Sequence, residues 1–299
     1  MKLCLGTVQF GMDYGIRGQK KPSQAAAIDM LDYATQNGID TLDTAFAYGT
    51  AEDVVGAFLA RKTIDRSKLF ISSKLKPNAL DDIPPHCLKD AINQHLDASL
   101  LRLHTDYLDA YLFHSSRYVY NEALLNALDE IKQTGKILHC GVSVYYPDEA
   151  KQGIASEKVD FLQLPFSIFD QRMREEGIFD LANQQGRTRI HARSAFIQGL
   201  ILMDDNEIPP FLHSARPILS KIDSLCSKYN ISRIALALLY VKHAGTASHL
   251  VFGVDNREQL KENIRIFDGT LPGEILAEIS ETFSHIDADI MMPSLWVKH

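Results

Sequence analysis

Apolar positions along the chain follow two alternating rhythms. Short runs with few polar interruptions recur near Leu3 to Val8, Ile39 to Asp43, Leu69 to Ser73, Leu108 to His114, Ile137 to Ser143, Val159 to Leu164, Arg189 to Ser194 and Leu250 to Val254. Runs of this length predict strands buried on both faces. Between them apolar residues return every three or four positions. That spacing predicts helices over Ser23 to Asn37, Ala51 to Arg61, His86 to Leu103, Glu122 to Thr134, Asp148 to Ser156 and Glu175 to Gln185. Two more, near Ser214 to Tyr229 and Ser232 to His243, precede the eighth strand, and Arg257 to Phe267 follows it. Gly38, Gly135 and Gly186 each stand just past a helical run, where a left-handed C-cap is wanted. Eight strand-then-helix units, with no linker, repeat or low-complexity tract, predict an α/β protein of one domain, residues 1–299, folded as a closed (β/α)8 TIM barrel. The rival, an open doubly wound sheet, wants a GxGxxG turn after its first strand. Gly6, Gly11, Gly15 and Gly18 have the wrong spacing for it. The tail, a helix near Glu274 to Ile286 and then Met291 to Trp296, either packs outside the barrel or arches over one mouth.

Composition narrows the partners. With 31 basic against 38 acidic residues the formal charge is -7, which argues against nucleic acid or an acidic membrane surface as the main partner. No apolar run approaches the roughly 20 residues of a membrane helix, and Met1-Lys2-Leu3 runs directly into a strand with no signal peptide, so a cytoplasmic protein is expected. Cys4, Cys87, Cys140 and Cys226 form no CxxC and read as reduced thiols, and the histidines are too scattered for a metal site.

In a parallel barrel the active site lies at the C-terminal mouth, so polar residues that end strands are the ones to inspect. The second run ends at Asp43, the third at Lys74 and the fourth at His114, while Tyr48 follows on a loop closed by Gly49. Each alone has an ordinary explanation, as a cap, a solvated lysine, a core histidine or a packed aromatic. Neighbouring strands about 4.8 Å apart would bring all four together. Such a set suits proton delivery to a carbonyl: Lys74 would lower the pKa of the Tyr48 phenol, Asp43 would hold Lys74 charged, and His114 would donate a hydrogen bond to the substrate oxygen.

These segments resemble the aldo-keto reductase superfamily. Asp43-Thr44-Ala45-Phe46-Ala47-Tyr48-Gly49 matches its D-T-A-x-x-Y-G, Ser73-Lys74-Leu75 and Leu112-Phe113-His114 its lysine and histidine strands, Gly141-Val142-Ser143 its GVS, and Gln163 to Ser167 its Q-x-x-Y-S. The resemblance runs from Leu5-Gly6-Thr7 to Glu262-Asn263. It implies an NAD(P)H-dependent reductase that binds its cofactor across the barrel mouth. By that resemblance Ser143 and Gln163 would hold the carboxamide, Phe166 would stack on the nicotinamide, and Arg193 lies where relatives wrap the pyrophosphate. Gly253, Asp255, Arg257, Gln259, Glu262 and Asn263 would meet the adenosine end. Two departures stand out. Val144 replaces the usual Asn after GVS, and Gly253, Asp255 and Gln259 stand where relatives carry Lys or Arg. NADP(H) is the family default. With Asp255 repelling a phosphate and Arg257 able to compensate, NAD(H) is the alternative.

The opening Leu5 to Gly15 is similar to a bacterial subgroup often found among sugar and surface-glycan biosynthesis enzymes. Tyr14, Arg17, Arg117, Tyr118 and Tyr120 suit a small polar or anionic carbonyl substrate such as a sugar derivative. Two rivals keep the fold but change the role. One is a nucleotide-binding regulatory protein with weak catalysis. The other is a lyase or isomerase using Lys74 as a Schiff-base amine.

Overall fold

Strands that are apolar on both faces cannot be left at an open edge, and the computed structural model, which describes residues 1–296, removes the edges by closure. Eight strands, β1 (Lys2–Gly6), β2 (Thr41–Asp43), β3 (Phe70–Lys74), β4 (Leu108–Phe113), β5 (Ile137–Ser143), β6 (Phe161–Pro165), β7 (Arg189–Arg193) and β8 (His249–Phe252), pair in parallel in chain order, and β8 returns to β1. The expected single-domain (β/α)8 barrel is the fold.

The helices between strands begin and end where the local chemistry allows. Ser23 Oγ accepts from the Ala26 amide, Asn121 Oδ1 from Leu124, Ser232 Oγ from Ala235 and Asn256 Oδ1 from Gln259, each satisfying a donor that the first helical turn leaves free. Gly38, Gly135 and Gly186 have φ of 84°, 80° and 73°, the left-handed conformation that stops a helix. The helix expected from Glu175 is broken for the same reason. Gly177, at φ 67°, separates a turn at Arg172–Glu175 from the helix Ile178–Gln185. The tail realises both expected placements in succession. Helix Gly273–Thr282 ends earlier than Ile286 and lies outside the barrel, with the Phe283 ring 5.6 Å from Phe169. The chain then turns over the mouth, where Pro293 and Ser294 face the central cavity.

Side chains alternate along a strand, so one inward residue fixes the rest. Phe70, Ala110, Leu112 and Phe161 fill the barrel interior. Counting on by two places Ser72 and Lys74 inward from Phe70, and Gln163 and Pro165 inward from Phe161. The intervening Ile71, Tyr111, Leu162 and Leu164 belong to the larger core, and Ser73 Oγ donates to Glu52.

At the N-terminal end the interior is floored by histidines. The His191 and His249 rings are 4.3 Å apart, and the Phe161 ring lies 4.3 Å from His191. His191 is 1% exposed and its Nδ1 has no hydrogen-bond partner. Burial holds His191 well below its ordinary pKa and His249 down at about 4. Both are neutral in the fold, whereas in the unfolded chain they protonate near about 6.5. Below that pH the unfolded state takes up protons the fold refuses, so stability is full above it and is lost on acidification. The urea midpoint is expected to fall steadily from about pH 7 to about pH 4.5, and His191→Phe to flatten the fall. Equal slopes in the two proteins would remove His191 from the explanation.

Candidate active site

The inward parity of β2 and β3 sets the first contact. Lys74 Nζ lies 2.8 and 2.7 Å from the two Asp43 carboxylate oxygens, 3.0 Å from the Thr44 carbonyl and 3.4 Å from Tyr48 Oη. Asp43 Oδ1 also accepts from Ser72 Oγ at 2.9 Å and from Gln163 Nε2 at 2.7 Å. Lys74 is 0% and Asp43 2% exposed, so this is a fully desolvated, fully bonded pair. Tyr48 is brought over it by a close backbone contact. A Cβ on Gly11 would lie 1.8 Å from the Tyr48 carbonyl, and one on Gly49, at φ 58°, would lie 2.4 Å from the Gly11 carbonyl. Only glycine permits this approach on either side. His114 closes the group, its ring 5.9 Å from that of Tyr48 and edge-on at 86°.

The electrostatics modify the expected division of labour. Burial pushes the Tyr48 phenol upward. Lys74 pulls it back and Asp43 adds to the rise, so the net direction is up rather than the expected lowering. The main reason is burial, which outweighs the pull of a Lys74 already paired with Asp43. For Lys74 itself, burial disfavours the charge, but Asp43 and Tyr48 together outweigh it and the ammonium is held above its usual pKa. Burial, with Lys74 and Arg193 beside it, drives His114 down to about 3, so its imidazole is neutral, and its Nδ1 has no protein partner. At neutral pH the site therefore presents a protonated phenol, an uncharged imidazole and one compensated ammonium.

These groups sit at a cavity of about 420 Å³ at the C-terminal mouth. Asp43, Tyr48, His114, Ser143, Gln163 and Arg193 line it on the barrel side, and Gly253, Asp255, Gln259, Glu262 and Asn263 line it beyond β8. Lys74 lies just beneath. Arg193 Nη2 donates to the Val144 carbonyl at 3.1 Å, and its guanidinium carbon lies 4.5 Å over the Tyr145 ring.

Two expected residues are elsewhere. Phe166 is 0% exposed and packs between Phe179 and Tyr240, with ring centroids 5.0 and 5.7 Å away, so no face of it is open to the cavity. It lies three positions after Gln163, and odd spacing along a strand turns the side chain outward. Arg257 is drawn off the cavity by Asp29, with Nη1 at 3.0 Å from Oδ2, and by the Tyr33 ring at 4.8 Å. Of the substrate-loop residues, Tyr14 and Arg17 line the cavity, whereas Arg117 and Tyr118 are engaged with Asp81 and Tyr120 is exposed. Tyr145 was not foreseen in the cavity, although it lies two positions after Ser143 and so shares its face.

A sequence profile of the aldo/keto reductase family matches residues 2–283. The chain belongs to this family. The uncharacterized oxidoreductase YqkF of Bacillus subtilis (strain 168) is 27% identical over 285 residues, 88% of this chain and 89% of that protein. The NADH-specific methylglyoxal reductase of Escherichia coli (strain K12) is 24% identical over 268 residues, 79% of this chain and 81% of that protein. A solved aldo-keto reductase of Bacillus halodurans, in its holo form, superposes with a TM-score of 0.75 at 23% identity over 94% of this chain and 91% of that one, a likeness of fold. Membership makes this aldo/keto reductase an oxidoreductase by family. Among its described residues no helix is long and apolar enough to cross a membrane.

Proposed function

We propose that the chain reduces an aldehyde or ketone to the alcohol with a reduced nicotinamide dinucleotide, Tyr48 giving the proton. The carrying observation is the buried Asp43–Lys74 pair set against Tyr48 Oη at the inner end of the cavity. A nicotinamide dinucleotide fits what lines the rest. Gln9 keeps a buried amide oxygen and His114 a ring nitrogen without partners among the described residues, and a bound ligand would supply them. When bound, the cofactor supplies the hydride. Ser143 and Gln163 would hold its carboxamide end, and Asp43, through Gln163, fixes the orientation of that amide. His114, neutral, would hydrogen-bond the substrate oxygen, and Tyr48 would protonate it as Lys74 stabilises the phenolate left behind.

Gly253, Asp255, Gln259, Glu262 and Asn263 would take the adenosine. Here the geometry favours NAD(H) over the family default NADP(H). Among the described residues the Asp255 carboxylate accepts a side-chain hydrogen bond from Gln259 at 3.4 Å and makes no ion pair, Arg17 is paired with Glu207, and Arg257, the expected phosphate partner, is paired with Asp29. A carboxylate accepts hydrogen bonds from a ribose diol and repels a 2'-phosphate. NADH is expected to give the higher kcat/KM, and Asp255→Ser to narrow the gap by about ten-fold. A wild type that prefers NADPH would refute this preference.

The test of the function is a screen of carbonyl compounds followed by loss of reduced-nicotinamide absorbance. Alongside it, quenching of Trp296, two residues from the cavity-lining Ser294, reports dinucleotide binding. Failure of both dinucleotides to bind in the micromolar range would end the proposal. A Schiff-base role for Lys74 is disfavoured because its nitrogen is charged, buried and bonded to Asp43 and Thr44. A purely regulatory role would leave the assembled Tyr48, Lys74 and His114 group without a use.

A further inference from the structure

The cavity's charges do not cancel at its chemical end. Of the carboxylates that line it, Asp43 is neutralised by Lys74, while Asp255 and Glu262 stand beyond β8. Of its arginines, Arg17 is paired with Glu207. Arg193 is different: among the described residues no carboxylate lies within ion-pairing distance of it. Its two hydrogen bonds go to the Val144 carbonyl at 3.1 Å and Ser194 Oγ at 3.2 Å. Two of its five donors are thus engaged, and the Tyr145 face lies 4.5 Å from the guanidinium carbon. Arg193 is half-buried, and an anionic ligand would supply the counter-charge it lacks among the described residues.

The place of this charge says what the ligand is for. Arg193 ends β7 on the inward face shared with His191 and lines the same cavity as Tyr48, His114 and Tyr14. Those are the groups between which a reacting carbonyl must lie. Tyr14, which burial pushes up to about 12, stays protonated nearby as a second donor. A planar fork beside two phenols is suited to a carboxylate or phosphate held by paired hydrogen bonds.

We propose that Arg193 is a specificity-determining residue that selects carbonyl substrates bearing a carboxylate or phosphate group near the reacting carbon. The proposal rests on the carbonyl-reductase reading. The same oxyanion chemistry could be met by the cofactor's pyrophosphate, and the position of Arg193 among Tyr14, Tyr48 and His114 favours the substrate.

The test compares matched pairs of substrates that differ only in charge, 4-carboxybenzaldehyde against its methyl ester and succinic semialdehyde against butanal. The readout is the ratio of kcat/KM for acid over neutral partner, which cancels general damage to the enzyme. The wild type is expected to favour the acid at least about ten-fold, Arg193→Met to erase that ratio, and Arg193→Lys to keep part of it. A wild type that reduces the neutral partner as efficiently overturns the proposal by itself, whatever the variants do. A ratio that survives in Arg193→Met, with both partners slowed equally and dinucleotide binding weakened, overturns it in favour of the pyrophosphate. Reduction of the neutral aldehydes in either case leaves the reductase reading standing. No reduction of any member is the failure of that reading instead.

Discussion

Tyr48→Phe is expected to lower kcat/KM for carbonyl reduction by about 10²- to 10⁴-fold while leaving dinucleotide affinity close to that of the wild type. The size follows from what the hydroxyl alone does. Its hydrogen-bond partner in the structure is Lys74 Nζ at 3.4 Å, and that ammonium keeps two Asp43 oxygens and the Thr44 carbonyl when the hydroxyl is gone. No buried charge is orphaned, so the fold survives and the loss is one of proton delivery. The pH profile gives an independent sign. Burial holds the phenol above its ordinary pKa, so the acid is fully protonated through neutrality and reduction runs on a plateau that declines only in the alkaline range. Alcohol oxidation, which needs the phenolate, should instead rise with pH. A Tyr48→Phe enzyme with near-normal turnover would exclude Tyr48 as the proton donor, and a reduction rate falling already near neutrality would contradict the raised pKa.

The sequence carried the barrel and the proton-delivery group because both rest on short-range regularities. Eight apolar runs each ended in a turn, and Asp43, Lys74 and His114 came at strand ends, so closure alone was enough to gather them. Period-two counting goes further than motif matching did. Ser143 inward implies Val144 outward and Tyr145 inward, and Gln163 inward implies Phe166 outward. The structure has Val144 and Phe166 packed in the core and Tyr145 in the cavity. The resemblance had favoured Phe166 because it compared residue types without asking which face they occupy. Other departures were not legible in principle. Arg257 is drawn off by Asp29 and Tyr33 of helix Gln24–Gln36, more than two hundred residues away in the chain. The net direction of the Tyr48 pKa depends on how far burial and Asp43 offset Lys74, and no spacing encodes that balance.

The largest effect on stability is expected at the pair beneath the phenol. Asp43 and Lys74 are both desolvated, and taking two ions out of water is repaid only while each has the other and its remaining hydrogen bonds. Asp43→Asn leaves an ammonium buried against an amide. Lys74→Met leaves a carboxylate with the Ser72 hydroxyl and Gln163 amide as donors. Each single change is expected to cost about 3–5 kcal/mol in urea unfolding at neutral pH, the cost of stranding one buried charge. The double variant, which strands neither, is expected to recover part of that loss, giving a coupling of opposite sign to the single effects. Carbonyl reduction should be lost in Lys74→Met and in the double variant alike, because restoring charge balance does not restore a cation beside Tyr48. That combination separates the two duties of the pair. Single variants losing less than about 1 kcal/mol would mean that the pair behaves like an exposed salt bridge. A double variant that regained reduction together with stability would show that Lys74 serves the fold and not the proton transfer.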